Sequence, residues 1–252
     1  MAGIRAVAFD YGGTLVGFRV PVAALRAADA AMLAALGAAG LRPAAGPQPF
    51  ALRLDAAVEG AVSAPRAVAE REVDIRAVYD TVLTALLGRP VPPATREALL
   101  RLHQTAWVAG VRVAVGVPAM LAALREMRLR VGLCSNTPYP PELMRAQLAR
   151  LGLIDHFDVL CFSSAVGWRK PHPAIFRELA RGLAVPPAAT LFVGDEARAD
   201  LGGARDAGMG PVLARVVRRA QDPERVAGAV IDDWPALVRL AREGWPVPAG
   251  GG

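Results

Sequence analysis

Seven polar residues fall where apolar runs break into turns, and their types form a set suited to phosphoryl transfer. Asp10 follows the run Ala6–Phe9 and precedes Tyr11-Gly12-Gly13-Thr14. Ser135 and Asn136 follow the short run 130–134, and Asp195 closes the run 190–194 with Asp200 five residues on. Lys170 stands before Pro171. A carboxylate such as Asp10 can attack phosphorus and form an aspartyl-phosphate that water resolves. Asp10 and Asp195 can share a hard cation such as Mg²⁺, which takes oxygen ligands. That cation and Lys170 would offset charge on the transferring group, and Ser135, with Asn136 beside it, can donate to a phosphoryl oxygen.

Taken singly, most of these residues have plainer readings. Asp10 could form a turn, Ser135 and Asn136 could belong to a loop before a proline, and Asp195 and Asp200 could be acids at a helix N-terminus. Lys170 is different. The chain carries 29 basic residues, and this is its one lysine. A compact ammonium cannot be replaced by a planar guanidinium where a point charge must fit. His103, His156 and His172 read as structural, solvated or capping residues. Cys134 and Cys161 lie in apolar strand-like runs and read as reduced core thiols.

The elements that must position this set follow from periodicity. Ala6–Phe9 reads as a buried parallel strand ending in a tight loop, which places Asp10 at the carboxyl edge of a sheet, where ligands bind. From Val22 the spacing changes to three- and four-residue steps, with Val22, Leu25, Ala28, Met32, Leu33 and Leu36 on one face. Further helical stretches cover about 50–63, 66–88 and 94–109, and no strand signal appears between 19 and 110. From Pro118 strands and helices alternate. Strands are expected near 130–134, 158–162, 190–193, 211–214 and 229–231, with helices over 120–127, 142–151, 173–183, 197–207 and 234–241. Alternation of this kind predicts a parallel sheet covered on both faces. The reading is an α/β parallel-sheet core of residues 1–16 and 115–243, an all-helical block of residues 17–114 inserted after the first strand, and a disordered tail of residues 244–252.

Composition limits the partners. The net charge of +6 comes from scattered arginines, with no basic block and few aromatics, which argues against nucleic acid. No signal-peptide profile or clean membrane span is present, so a soluble cytoplasmic protein with no membrane partner is expected.

Asp10-Tyr-Gly-Gly-Thr14, Ser135, Lys170-Pro171 and Gly194-Asp195-Glu-Ala-Arg-Ala-Asp200 together resemble the four motifs of the haloacid dehalogenase superfamily, in order and spacing. The spacing is similar to the subgroup with a helical cap between the first two motifs. The resemblance implies a Rossmann-like core, Mg²⁺ and, usually, phosphatase activity on a small phosphorylated substrate. It implies catalytic roles for Asp10, Thr14, Ser135, Asn136 and Lys170. It also implies a metal held by Asp10, Asp195 and the Gly12 carbonyl, with Asp200 bonded to the metal's waters.

One departure matters. Phosphatases of the superfamily resemble Asp-x-Asp-x-Thr in the first motif, the second Asp serving as general acid and base, and that position here is Gly12. The backbone ligand survives, but proton donation to the leaving group does not, and loss of a positioned acid removes about 10² to 10⁴ in rate. A dehalogenase reading fits poorly, because its tyrosine would stand two residues after the nucleophile and Tyr11 stands one after. A Schiff-base reading needs a second lysine, and a mutase needs the missing acid. Two readings remain: a Mg²⁺-dependent phosphatase with an altered first motif, or a weak or inactive relative that binds a phosphorylated ligand or protein.

Overall fold

All four residues of Ala6–Phe9 (β1) are buried, so this strand must be flanked by strands and covered on both faces. The chain is described by a computed structural model over residues 3–66, 70–218 and 228–244. Val16–Phe18 (β2) and Val111–Val113 (β3) pair with each other as a small separate sheet. Arg130–Ser135 (β4), Val159–Phe162 (β5), Thr190–Gly194 (β6), Gly210–Ala214 (β7) and Ala229–Ile231 (β8) join β1 in a six-stranded sheet. Its order is β5-β4-β1-β6-β7-β8, with every pair parallel. The fold is α/β with a Rossmann-like parallel sheet. The chain fills one side of β1 with β4 and β5, then crosses to fill the other with β6, β7 and β8. That reversal opens a crevice at the carboxyl end of β1, the place where open α/β sheets bind ligands.

The chain divides into two compact units. One comprises the residues to Phe18, Arg112–Thr137 and those from Leu148 on; the other comprises Arg19–Val111 and Pro138–Gln147. The sheet unit packs Ile175, Phe176 and Leu179 of the helix Pro173–Leu183 with Ala6, Ala8 and Phe192. Its helix Trp234–Glu243 is capped at its end by Gly244, whose N–H donates to Leu240 O. The rest of the expected disordered tail, 245–252, lies outside the described residues.

The second unit is helical, built on Val22–Ala38, Phe50–Arg66, Ile75–Leu87 and Pro93–Trp107. Leu25, Met32 and Leu36 of the first of these helices are fully buried with Leu54, Tyr79, Leu83, Leu99 and Leu100. Each such side chain contributes about 1.5–3 kcal/mol through burial. The periodicity over 66–88 runs past the true helix start. Residues 70–74 are not helical, because the Asp74 carboxylate accepts from the Arg76 and Ala77 amides and starts the helix at Ile75. Pro138–Gln147, which the pattern assigns to the alternating half, groups with this unit, and Tyr139 and Leu143 pack on its core.

The helical unit also buries a polar chain. Asp55 Oδ1 accepts from His103 Nε2 at 2.9 Å and from Trp107 Nε1 at 2.6 Å, while His103 Nδ1 shares a 2.5 Å hydrogen bond with the Tyr79 hydroxyl. Burial works against the Asp55 carboxylate, but its bonds to His103 and Trp107 hold its pKa below the ordinary value. His103→Leu would take one of the two bonds that Asp55 accepts and the bond that ties the Tyr79 hydroxyl to His103. Urea unfolding should show a loss of about 2–4 kcal/mol, against about 1 kcal/mol for the cap variant Asp74→Ala. Equal losses would mean that the polar chain contributes no more than one surface cap.

Candidate active site

Register alone brings the candidate residues together. Phe9 on β1 is level with Leu133 on β4 and Val193 on β6, so the next residues, Asp10, Cys134 and Gly194, lie side by side at the carboxyl end of the sheet. Ser135 is the last, buried residue of β4, and Asp195 directly follows β6. Asp10 is fixed by its own amide, which donates to Val193 O at 2.8 Å. The loop after it turns back on itself: the amides of Leu15 and Val16 both donate to Tyr11 O, and that of Gly13 to Val16 O.

Lys170 is the hub. Its ammonium lies 2.6 Å from Asp10 Oδ1, 2.7 Å from Asp200 Oδ1 and 2.9 Å from Cys134 O. Three donors meet three acceptors, and the side chain is almost wholly buried. A planar guanidinium could not send its donors along those three directions, which accounts for lysine in a chain that otherwise uses arginine. Burial alone would lower the pKa of this ammonium; Asp10 and Asp200 outweigh it and hold the pKa above the ordinary value.

The other partners lock this arrangement. The Asn136 side chain donates to Lys170 O at 3.1 Å and accepts from Lys170 N at 2.7 Å, pairing with that peptide as a strand would. Asp200 has both oxygens committed: Oδ1 to Lys170, and Oδ2 to the amides of Asp195 and Glu196. Thr14, fully buried, lies with its hydroxyl 3.2 Å from Asp195 Oδ1, donating to it. Glycine is required twice here. A Cβ on Gly13, whose φ is +87°, would come 2.5 Å from Asp195 Oδ2, and a Cβ on Gly194 would come 2.4 Å from the Asp200 side chain.

Among the described residues, the site is short of positive charge. Asp10, Asp195 and Asp200 each offer an oxygen within 4.8 Å of the others. Burial raises the pKa of Asp10 to about 7, Lys170 pulling against it and Asp200 adding to it. Asp195 is raised to about 6, by burial and then by Asp200. One ammonium shared between two carboxylates does not offset three. Asp10 Oδ2 and Asp195 Oδ2 are buried and accept no hydrogen bond from the described residues. Two orphaned carboxylate oxygens in an oxygen-rich cluster are a fitting donor set for a hard divalent cation.

Two neighbours carry no distinguishing signal in the sequence. Arg218, one of many scattered arginines, sits against Asp195. Phe18, half exposed, lays its ring where a side chain on Gly12 would go: a Cβ there would be 2.5 Å from Phe18 Cε2. His172 stands apart from this chemistry. It caps the helix Pro173–Leu183 through Nδ1 and stacks on Trp168 with centroids 3.9 Å apart.

The haloacid dehalogenase-like hydrolase family matches residues 4–208. The chain belongs to that family. It is 33% identical over 147 residues to a glyceraldehyde 3-phosphate phosphatase of Methanopyrus kandleri, covering 58% of this chain and 61% of that one. It is 37% identical over 106 residues to a phosphoserine phosphatase of Thermus thermophilus, covering 42% of each. A phosphoglycolate phosphatase of Photorhabdus laumondii is 32% identical over 212 residues, covering 82% of this chain and 79% of that one. The first two matches thus span about two fifths to three fifths of those relatives. Among solved structures, a 2-haloacid dehalogenase of Pseudomonas syringae superposes with a TM-score of 0.68 at 25% identity, covering 96% of this chain and 100% of that one. A phosphatase of the same family from Thermococcus onnurineus, at 23% identity, shares the fold with a TM-score of 0.60, covering 94% and 97%.

Replacing Lys170 with methionine would leave Asp10 and Asp200 buried without their shared cation. Urea unfolding at neutral pH should register a loss of roughly 3–5 kcal/mol. A Lys170→Met protein as stable as wild type would show that the ammonium does not hold the two carboxylates together.

Proposed function

We propose that the chain is a Mg²⁺-dependent phosphatase acting on a small phosphorylated molecule through an aspartyl-phosphate on Asp10. The observation that carries this reading is a cluster of three buried carboxylates around one buried ammonium, in which Asp10 Oδ2 and Asp195 Oδ2 accept no hydrogen bond from the described residues. The named activities of its relatives agree, each being the hydrolysis of a small phosphate ester. The cation would be held by Asp10, Asp195 and the Gly12 carbonyl. Asp200, with both oxygens engaged, aims Lys170 and braces the turn after β6, and Asn136 holds the Lys170 backbone. The helical unit serves as the cap, and the compartment is the cytoplasm, where Cys134 and Cys161 stay reduced.

In this scheme the Asp10 carboxylate attacks phosphorus, and the bond to the leaving oxygen breaks with its electron pair going to that oxygen. Water then attacks the aspartyl-phosphate, returning the Asp10 carboxylate and releasing inorganic phosphate. Lys170 offsets charge on the phosphoryl oxygens, Ser135 donates to one of them, and Thr14 fixes Asp195. A bound Mg²⁺ supplies Lewis-acid charge neutralisation that lets two anions approach. No acid stands at position 12, so the leaving oxygen carries its own charge at the moment of cleavage. Phe18 across Gly12 also favours a second reading, a relative that binds a phosphorylated ligand and turns it over slowly.

Two measurements test this. Asp195→Asn should weaken Mg²⁺ binding in calorimetry by at least about 10- to 100-fold; unchanged affinity removes the metal assignment. Rates should fall steeply as leaving-group pKa rises, aryl and acyl phosphates far outpacing sugar phosphates. Gly12→Asp, with the Phe18 ring swung outward, should flatten that slope and raise alkyl-phosphate turnover by about 10-fold or more. Equal wild-type rates on alkyl and aryl phosphates would place the proton donor elsewhere. Phosphate binding without turnover in either protein would select the second reading.

A further inference from the structure

One charged contact at the site has no part in that scheme. Arg218, on the loop after β7, has Nε 3.2 Å from Asp195 Oδ2 and Nη1 3.7 Å from Glu196 Oε1. Its side chain is 54% exposed, whereas that of Asp195 is almost wholly buried. Because Asp195 Oδ2 accepts no hydrogen bond from the described residues, Arg218 included, charge rather than directed bonding holds the two together. The contact falls on one of the two oxygens that fit a cation.

Charge counting decides what this contact means. The three carboxylates carry three negative charges and Lys170 returns one positive charge, leaving two. A divalent cation would cancel those two and take Asp195 Oδ2 from Arg218, leaving Glu196 as its remaining carboxylate partner beside a neutral centre. Without the cation, Arg218 reduces the deficit but cannot close it. A half-exposed side chain on a loop loses little by moving, and a guanidinium is well shaped to take two oxygens of a phosphate.

We propose that Arg218 is an exchangeable counter-ion and a substrate-binding residue: it rests on Asp195 when no cation is bound, is displaced by the cation, and then binds the phosphoryl group of the substrate. This rests on the reading of the site as a cation-dependent phosphatase. It also gives the order of assembly, cation first and phosphate second, with the arriving cation freeing the group that receives the phosphate.

Calorimetry on the full chain tests both halves. Mg²⁺ is titrated into wild type, Arg218→Gln, Arg218→Lys and Asp195→Asn, and inorganic phosphate is then titrated at saturating Mg²⁺. Arg218→Gln should bind Mg²⁺ roughly two- to five-fold more tightly, as removal of a half-exposed competing ion pair implies. It should bind phosphate about 10-fold or more weakly, for want of a charge-assisted contact. Arg218→Lys should fall between the two proteins on both measures. Equal or weaker Mg²⁺ binding by Arg218→Gln, or retained phosphate affinity, would overturn the assignment. The two readings fail separately. Loss of Mg²⁺ in Asp195→Asn with no change in Arg218→Gln removes only the role of Arg218, whereas Mg²⁺ binding that survives Asp195→Asn removes the cation site itself.

Discussion

The Lys170 ammonium, nearly sealed from solvent, has each of its three donors on a different part of the chain: Asp10 after β1, Asp200 after β6 and the Cys134 carbonyl on β4. Those three strands are neighbours at the centre of the sheet, so one small cation joins the carboxyl ends of the crevice. An isolated buried ammonium would deprotonate or unfold its surroundings. This one is stable because two carboxylates face it, and they tolerate burial because it faces them. The dependence is mutual, and it explains the secondary features. Asn136 pairs with the lysine's own peptide, and Asp200 spends its second oxygen on the amides of Asp195 and Glu196.

Sheet topology makes that convergence possible. Because β1 lies between β4 and β6, the residues that follow these strands emerge together although up to 185 positions separate Asp10 from Asp195. Backbone approach then has to be close. Gly13 and Gly194 are needed because carboxylates occupy the volume their side chains would fill. The outcome is a centre with more negative than positive charge, built at a cost to stability that a bound cation would relieve. Such local conflict marks a site shaped for chemistry rather than for folding.

Much of this was legible in the sequence. Long periodic stretches located the helices and the buried strands, and apolar runs ending in polar turns located the carboxylates. The lone lysine signalled a position where shape matters as well as charge. What was hidden was short or reciprocal. Three-residue strands such as Val16–Phe18 and Val111–Val113 are too brief to show a period. The helix expected from 66 begins at 75 because a single capping carboxylate, Asp74, overrides the apolar spacing before it. The helix expected over 197–207 is present, but its first part, Ala197–Gly202, is widened to π-helical form, with the Asp200 carboxylate accepting from the amides of Asp195 and Glu196. Asn136 reads as part of a catalytic pair, and only coordinates place its two polar atoms on Lys170. Arg218 is one arginine among many and is singled out by position alone.

The missing acid at Gly12 gives the site its particular character. Three carboxylates and the Lys170 ammonium meet at one point, and position 12 beside them carries no acid. The central claim is that Asp10 becomes phosphorylated. Acid-quenched protein, exposed to an aryl or acyl phosphate with Mg²⁺ and mapped by mass spectrometry, tests it most directly. The account predicts a phosphoryl group on the peptide that carries Asp10, absent from Asp10→Asn. Phosphate release by Asp10→Asn at the wild-type rate, or a phosphoryl group on another residue, would contradict it.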